Sequence, residues 1–202
     1  MKLGHVLWIG GSTCSGKSTI ADRLAESRGL AIYHVDEHEQ SHAERATAKQ
    51  LPVYERWVGM SLSERWAMSS VDELVADTLA ISQERLPMII EDLDDEPTVV
   101  EGFQVYPWLV APLLRSSRQA VWLVCTPAFR RATHFSRPHA WAMPNQTDDP
   151  ERAQENRLER DDRIGAEIAS GAHDLGLRTI EVDGSRSLDD IAAEANAHLE
   201  LP

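Results

Sequence analysis

Gly11-Ser12-Thr13-Cys14-Ser15-Gly16-Lys17-Ser18 satisfies the pattern G-x-x-x-x-G-K-[ST] at every fixed position, and its surroundings decide what the match means. An apolar run, Val6-Leu7-Trp8-Ile9, precedes it, and Ser18–Arg28 follows with the spacing of an amphipathic helix. Strand, glycine loop and helix in that order let successive backbone N–H groups converge on an anion, with the positive end of the helix dipole behind them. The residues from Gly11 through Ser12, Thr13, Cys14, Ser15 and Gly16 are therefore expected to cradle phosphates. Lys17 is expected to reach the β- and γ-phosphates, Ser18 to ligate Mg²⁺ and Thr19 to touch the α-phosphate. The expected ligands are ATP and Mg²⁺.

Working outward, the 202 residues suit one α/β domain over positions 1–202, with length left for a helical insertion. The remaining strand candidates are Leu30–Val35, Thr98–Glu101, Val121–Cys125 and Arg178–Val182, after a first one at His5–Ile9. Each is short and rich in Val, Ile or Leu, as in a parallel sheet covered on both faces. Helix starts are readable at the capping-box pattern Ser61-Leu62-Ser63-Glu64, expected to lead into Val71, Leu74, Val75 and Thr78. Further starts are read at Thr126-Pro127, Asp149-Pro150 and Ser187. Two segments exceed what a crossover needs: residues 37–96, containing Tyr54, Trp57 and Trp66, and residues about 128–163, rich in arginine and broken by prolines. Long excursions of this kind usually carry function, so the first is expected to be a helical acceptor-binding insertion and the second a lid over the phosphates. The fold class expected is a three-layer α/β P-loop NTPase of the nucleoside/nucleotide kinase-like type, with a five-stranded parallel sheet and a helical lid.

The bulk numbers restrict the partners. A formal net charge of −13 repels a nucleic-acid backbone unless a basic patch is segregated, so nucleic acid is not expected. No run approaches about 18 apolar residues, and the opening Met1-Lys2-Leu3-Gly4-His5 lacks the long apolar stretch of a signal peptide. Two cysteines, Cys14 and Cys125, make no disulfide framework. A cytoplasmic protein with a small-molecule partner and no membrane contact is expected, and a homodimer is the assembly considered.

Acids at strand ends and arginines beyond them supply the candidate chemistry. Asp36 follows the second strand and Glu101 closes the third, where ligands of open α/β sheets bind. Transfer to a hydroxyl needs one carboxylate to orient the acceptor oxygen and take its proton, and another acid near Mg²⁺. Asp36 suits the first role and Glu101 the second, although the two can exchange. Arginines suit the charge that spreads over a transferring phosphoryl group. Arg130, Arg131 and Arg137 are the first candidates, with Arg131 taken as catalytic. Arg157, Arg160 and Arg163 recur at three-residue steps on a helix, but Glu155, Glu159, Asp161 and Asp162 interleave with them and make a solvated ion-pair face the competing reading. His38-Glu39-Gln40-Ser41-His42 matches H-E-x-x-H, a zinc-protease pattern. Its place directly after a strand of a P-loop sheet argues against that role and leaves His38 and His42 to line the acceptor site or face solvent. Trp57 and Phe103 are candidates for acceptor contact, while packing of the insertion onto the sheet is the alternative for Tyr54, Trp57 and Trp66.

The loop, Val35-Asp36-Glu37-His38 and Val100-Glu101-Gly102-Phe103 together resemble the P-loop small-molecule kinases, in particular the uridine kinase and nicotinamide riboside kinase group. Gly10-Gly11-Ser12 with Asp36 is similar to chloramphenicol phosphotransferase, and Val182-Asp183-Gly184-Ser185 before the last helix looks like the same group. The resemblance covers the core strands and not residues 37–96. It implies an ATP-dependent phosphotransferase acting on a hydroxyl of a nucleoside, metabolite or antibiotic-like acceptor. On that pattern Lys17 and Ser18 bind MgATP, Asp36 is the base and Glu101 assists at the acceptor or metal. The alternative is an ATP-binding regulatory or slowly hydrolysing P-loop protein with no acceptor.

Overall fold

The computed structural model describes residues 3–47 and 49–202. Five parallel strands form one sheet in the order β2-β3-β1-β4-β5, with β1 at Val6–Gly11, β2 at Ala31–His34, β3 at Thr98–Glu101, β4 at Ala120–Cys125 and β5 at Arg178–Val182. Helix α1 (Lys17–Arg28) leaves β1, and α8 (Leu188–His198) closes the chain. Between β2 and β3 lie α2 (Glu39–Ala46), α3 (Pro52–Gly59) and α4 (Val71–Glu91). The short α5 (Pro107–Val110) follows β3, while α6 (Pro127–Phe135) and the long α7 (Pro150–Asp174) connect β4 to β5.

Strand alternation sorts the core into two faces. Leu7, Ile9, Val121 and Leu123 meet Ile20 and Leu24 of α1 and Ile191 and Ala195 of α8. Trp8, Val100 and Trp122 meet Ile164 and Ile168 of α7 and Val110 of α5 on the other face. Every residue of β1 is buried, which is why that strand reads as an unbroken apolar run with no polar alternation. A third cluster, with Tyr54, Trp57, Leu74, Ile81 and Met88, belongs to the helices between β2 and β3 alone.

The helix starts read from sequence at Thr126, Asp149 and Ser187 are present: each side chain accepts a backbone N–H of the first turn. The start at Ser61 differs. Ser61 and Glu64 do close a capping box, but it opens only a π-helical turn, Glu64–Met68, that ends at Ser69. A second box, Ser70 with Glu73, then starts α4. Ser69 is extended at ψ 144° and its hydroxyl donates to the Glu64 carbonyl, so the helix is cut where serines supply competing hydrogen bonds. Strand β1 also runs past Ile9, because Gly10 and Gly11 continue the pairing with Trp122 and Leu123.

The two long excursions hold each other. The Asn156 side chain on α7 donates to the carbonyls of Trp66 and Ser69, and Ser63 Oγ accepts the Asp148 N–H at 2.9 Å. Among the described residues, no helix is long and apolar enough to cross a membrane.

Candidate phosphate and acceptor site

The loop between β1 and α1 is shaped by close backbone approach. At Gly11 φ is 131°, and a Cβ there would lie 2.0 Å from the Leu123 carbonyl oxygen. Ser12 N–H donates to that oxygen at 2.8 Å, and the Ser12 hydroxyl accepts the N–H of Cys125 at 3.1 Å. The loop is thereby tied to β4. Ser15 Oγ donates back to the Ser12 carbonyl, and Cys14 takes a left-handed conformation at φ 66°. A non-glycine residue there costs roughly 1–2 kcal/mol, which the ties to β4 and the loop's own hydrogen bonds hold in place.

Thr13, Cys14, Gly16, Lys17, Ser18 and Thr19 form the floor of a cavity of about 380 Å³. Lys17 is buried, with Nζ 3.7 Å from Glu101 Oε1. Glu101 is also buried, and its other oxygen meets His34 Nδ1 at 2.9 Å while His34 Nε2 meets Asp22 at 3.0 Å. Burial pulls the His34 pKa down, but the hydrogen bond and charge of Glu101 and the charge of Asp22 outweigh it and raise the value overall. An imidazole held between two carboxylates thus fixes Glu101 and leaves Oε1, which has no hydrogen-bond partner among the described residues, toward the lysine.

A second cavity of about 350 Å³ adjoins the first, and Thr13, Asp36, Phe103 and Arg157 line both. Its aromatic wall is Tyr54, Trp57, Trp66 and Phe103. Trp57 and Trp66 meet edge to face at 5.6 Å. The Arg160 guanidinium lies over Trp66 at 4.9 Å and Phe103 at 5.2 Å. The aromatics of the insertion pack its own helices together and also line the cavity.

The arginines fall into distinct places. Arg137 and Arg157 line the phosphate cavity. Arg157 makes no ion pair or hydrogen bond among the described residues, and burial followed by Arg160 beside it lowers its pKa against the pull of Asp161. Arg130 is buried and ties α6 to α7 through Asp162 and the Leu158 carbonyl. Arg131 is half-exposed, 3.6 Å from Asp162, and lines neither cavity. Its expected place at the transferring phosphate is thus not where this conformation puts it, because α6 turns Arg130 inward and leaves Arg131 on its exposed side.

The solvated ion-pair face expected on α7 holds only for Arg163, which pairs with Glu159 and Asp72 in the open. Arg160 and Asp161 are buried, since α7 crosses the sheet and turns them inward. Asp161 is the residue the sequence concealed: it accepts from Thr13 Oγ1 at 2.8 Å, lies 2.6 Å from an Arg160 nitrogen and lines the phosphate cavity. His134 lines that cavity too, its Nε2 2.7 Å from the Gln154 amide, with burial lowering its pKa. Neither residue carried a sequence signal apart from its neighbours.

The H-E-x-x-H segment takes up other work. His38 stacks on Tyr33 with ring centroids 4.0 Å apart and lines neither cavity. His42 is fully buried between Asp92 at 3.0 Å and Arg85 at 3.1 Å, and burial lowers its pKa. Glu39 alone of the motif lines the second cavity.

No protein-family model matches the chain, and no curated protein matches it by sequence. Among solved structures it is similar to a shikimate kinase from Bacteroides thetaiotaomicron, at 12% identity over 95% of this chain and 94% of that one, with a TM-score of 0.50. The fold is the three-layer α/β P-loop fold. A gluconokinase from Sinorhizobium meliloti is similar at 17% identity, 98% and 93% coverage and a TM-score of 0.44. A shikimate kinase from Aquifex aeolicus is similar at 17% identity, 96% and 95% coverage and a TM-score of 0.45. At such identities the P-loop kinase likeness concerns the shape of the chain and carries no acceptor with it.

Proposed function

We propose that the protein is an ATP-dependent phosphotransferase that moves the γ-phosphoryl group to a hydroxyl of a small molecule. The observation that carries this reading is the wall common to the two cavities: Asp36, Thr13, Phe103 and Arg157 stand between a phosphate-binding loop and an aromatic pocket. A protein that only hydrolysed ATP would need no such second pocket behind its carboxylate.

The residues fit MgATP. Backbone N–H groups from Thr13 to Lys17 and the N-terminus of α1 would hold the phosphates. Ser18 would ligate Mg²⁺, which supplies charge neutralisation between the β- and γ-phosphates. The buried Glu101, ion-paired with Lys17 through Oε1 at 3.7 Å, would be the second acid such a site requires. Asp36 would accept the acceptor's hydroxyl proton as that oxygen bonds to the γ-phosphorus and the bond to the β,γ-bridging oxygen breaks, leaving ADP. Arg157, at the boundary and unpaired among the described residues, and Arg137 would meet the charge on the equatorial oxygens. Lining both cavities favours Asp36 over the ion-paired Glu101 as the base.

The acceptor class stays broad. The motifs resemble the uridine kinase and nicotinamide riboside kinase group and chloramphenicol phosphotransferase, whereas the similar solved structure at a TM-score of 0.50 is a shikimate kinase. All of these point to hydroxylated small molecules. The test is ATP consumption against a panel of nucleosides, vitamins, sugar acids and hydroxylated antibiotics, with Asp36→Ala alongside. We expect an acceptor-dependent rate that falls about 10²–10⁴-fold in the variant while MgATP binding persists. Acceptor-independent turnover that Asp36→Ala leaves intact would favour the regulatory, slowly hydrolysing reading instead.

A further inference from the structure

We propose that Gln104 is a specificity-determining hydrogen-bond donor of the aromatic cavity, and that the acceptor it selects is a neutral ring compound bearing a carbonyl-type oxygen. This deepens the kinase reading and rests on it. Gln104 lines the cavity beside Phe103 and Thr78. Its Oε1 accepts a short hydrogen bond from Arg85 Nη1. A guanidinium has only donors to offer, so the amide has one orientation there: oxygen toward Arg85, NH₂ away from it. No described residue accepts from that NH₂, and Gln104 Nε2 is not among the sealed, unpartnered side-chain atoms. It is therefore a donor left open for a ligand.

The orientation is enforced from behind. Arg85 is 1% exposed. Its Nη2 donates to the Val35 carbonyl at 3.1 Å and its Nε to His42 Nδ1 at 3.1 Å. With Nδ1 accepting, His42 carries its proton on Nε2 and donates to Asp92 Oδ2 at 3.0 Å. Asp92 is in turn clamped by Arg45 through bonds of 2.8 and 2.9 Å and by Tyr33 at 2.8 Å. A chain of fixed donors and acceptors thus runs from the surface of α2 to the cavity wall and ends in an amide whose NH₂ is turned away from the arginine.

The acids and arginines lining the cavity are equal in number, so it holds no surplus positive charge to recruit an anionic partner. Asp36 and Glu39 line the same cavity, and Arg160 has its compensation in Asp161 at 2.6 Å. Arg157 stands at the boundary with the phosphate cavity, where the nucleotide's own charge would engage it. What remains for the acceptor is the flat aromatic wall, one neutral NH₂ donor and the Asp36 carboxylate for its hydroxyl. A planar or cyclic molecule with a carbonyl oxygen and a free hydroxyl satisfies all three.

The test uses two neutral carbonyl-bearing alcohols, uridine and N-acetylglucosamine, and two anionic ones, gluconate and shikimate, with wild type and Gln104→Leu. ATP turnover is read together with the side-chain amide signals of Gln104 in ¹⁵N spectra, assigned by their loss in the variant and followed with a non-hydrolysable ATP analogue present. We expect at least one neutral compound to be phosphorylated and to move the Gln104 signals, and Gln104→Leu to raise its KM roughly ten- to hundred-fold with kcat changed far less. Turnover of gluconate or shikimate in preference, with Gln104→Leu indifferent, overturns the inference and leaves the kinase reading standing. MgATP binding without turnover of any compound on this or the wider panel overturns both.

Discussion

The floor of the phosphate cavity, Thr13 to Thr19, is one continuous stretch of chain, whereas the neighbouring aromatic cavity is walled by residues from α3, α4, α7, the segment after β2 and the loop after β3. The first is held mostly by bonds to its own loop and to the adjacent strand, such as Ser15 to Ser12 and Ser12 to Leu123. The second depends on side-chain bonds between helices and segments outside the sheet, such as Arg85 with His42 and Asn156 with Trp66. A local site tolerates change in the rest of the molecule. A site built from distant elements rises and falls with the packing of all of them, and its polar groups are costly to leave unpaired once buried.

The sharpest way to break this contrast lies where the two sites meet. Arg157→Ala should lower acceptor-dependent turnover about a hundredfold, the scale seen when one preorganised donor to a developing charge is removed. Arg131→Ala should change it less than about threefold, as expected for an exposed arginine that lines neither cavity. Steady-state rates on the two variants decide it. The reverse ranking would mean that α6 swings Arg131 inward during the reaction.

A smaller effect probes the buried network. Burial pushes the Asp92 carboxyl up, but hydrogen bonds from Arg45, His42 and Tyr33 overcome that and hold it down at about 2, from 3.8. A depressed carboxylate stabilises the fold above its unfolded value and loses that contribution as pH falls through the folded one. Asp92→Asn should therefore cost about 2 kcal/mol near neutrality. Its deficit should shrink as pH falls from about 4 toward 2, read as converging denaturant midpoints of variant and wild type. A deficit independent of pH would show that the network depends on shape and hydrogen bonding, not on charge.

Least of all should follow from a local group on the phosphate side. Thr126 caps α6 by accepting the Phe129 N–H. Thr126→Ala should cost about 1 kcal/mol or less in urea unfolding, with an unchanged slope. A larger loss would make the phosphate side as cooperative as its neighbour.

How much was legible follows the same division. The loop, its flanking strand and helix, and the acids after β2 and β3 could be named because their positions are set by neighbours in sequence and by the period of each element. The helix break at Ser69-Ser70 was missed because two capping boxes compete within one polar stretch. Asp161 and Arg160 were read against a solvated face because alternating charges look alike whether or not a helix turns them inward. The Gln104 orientation had no sequence signal at all, since it depends on a buried arginine reaching across from α4.

The sequence by itself determined that a phosphate-binding loop sits between a buried strand and a helix in a parallel α/β chain, because backbone turning, dipole direction and strand burial are written in adjacent residues. Only the tertiary structure decided which arginines reach the phosphate cavity, which carboxylates are buried and how the second cavity is walled. Those outcomes depend on how far α4, α6 and α7 tilt over the sheet, and that is fixed by packing between segments that share no local pattern.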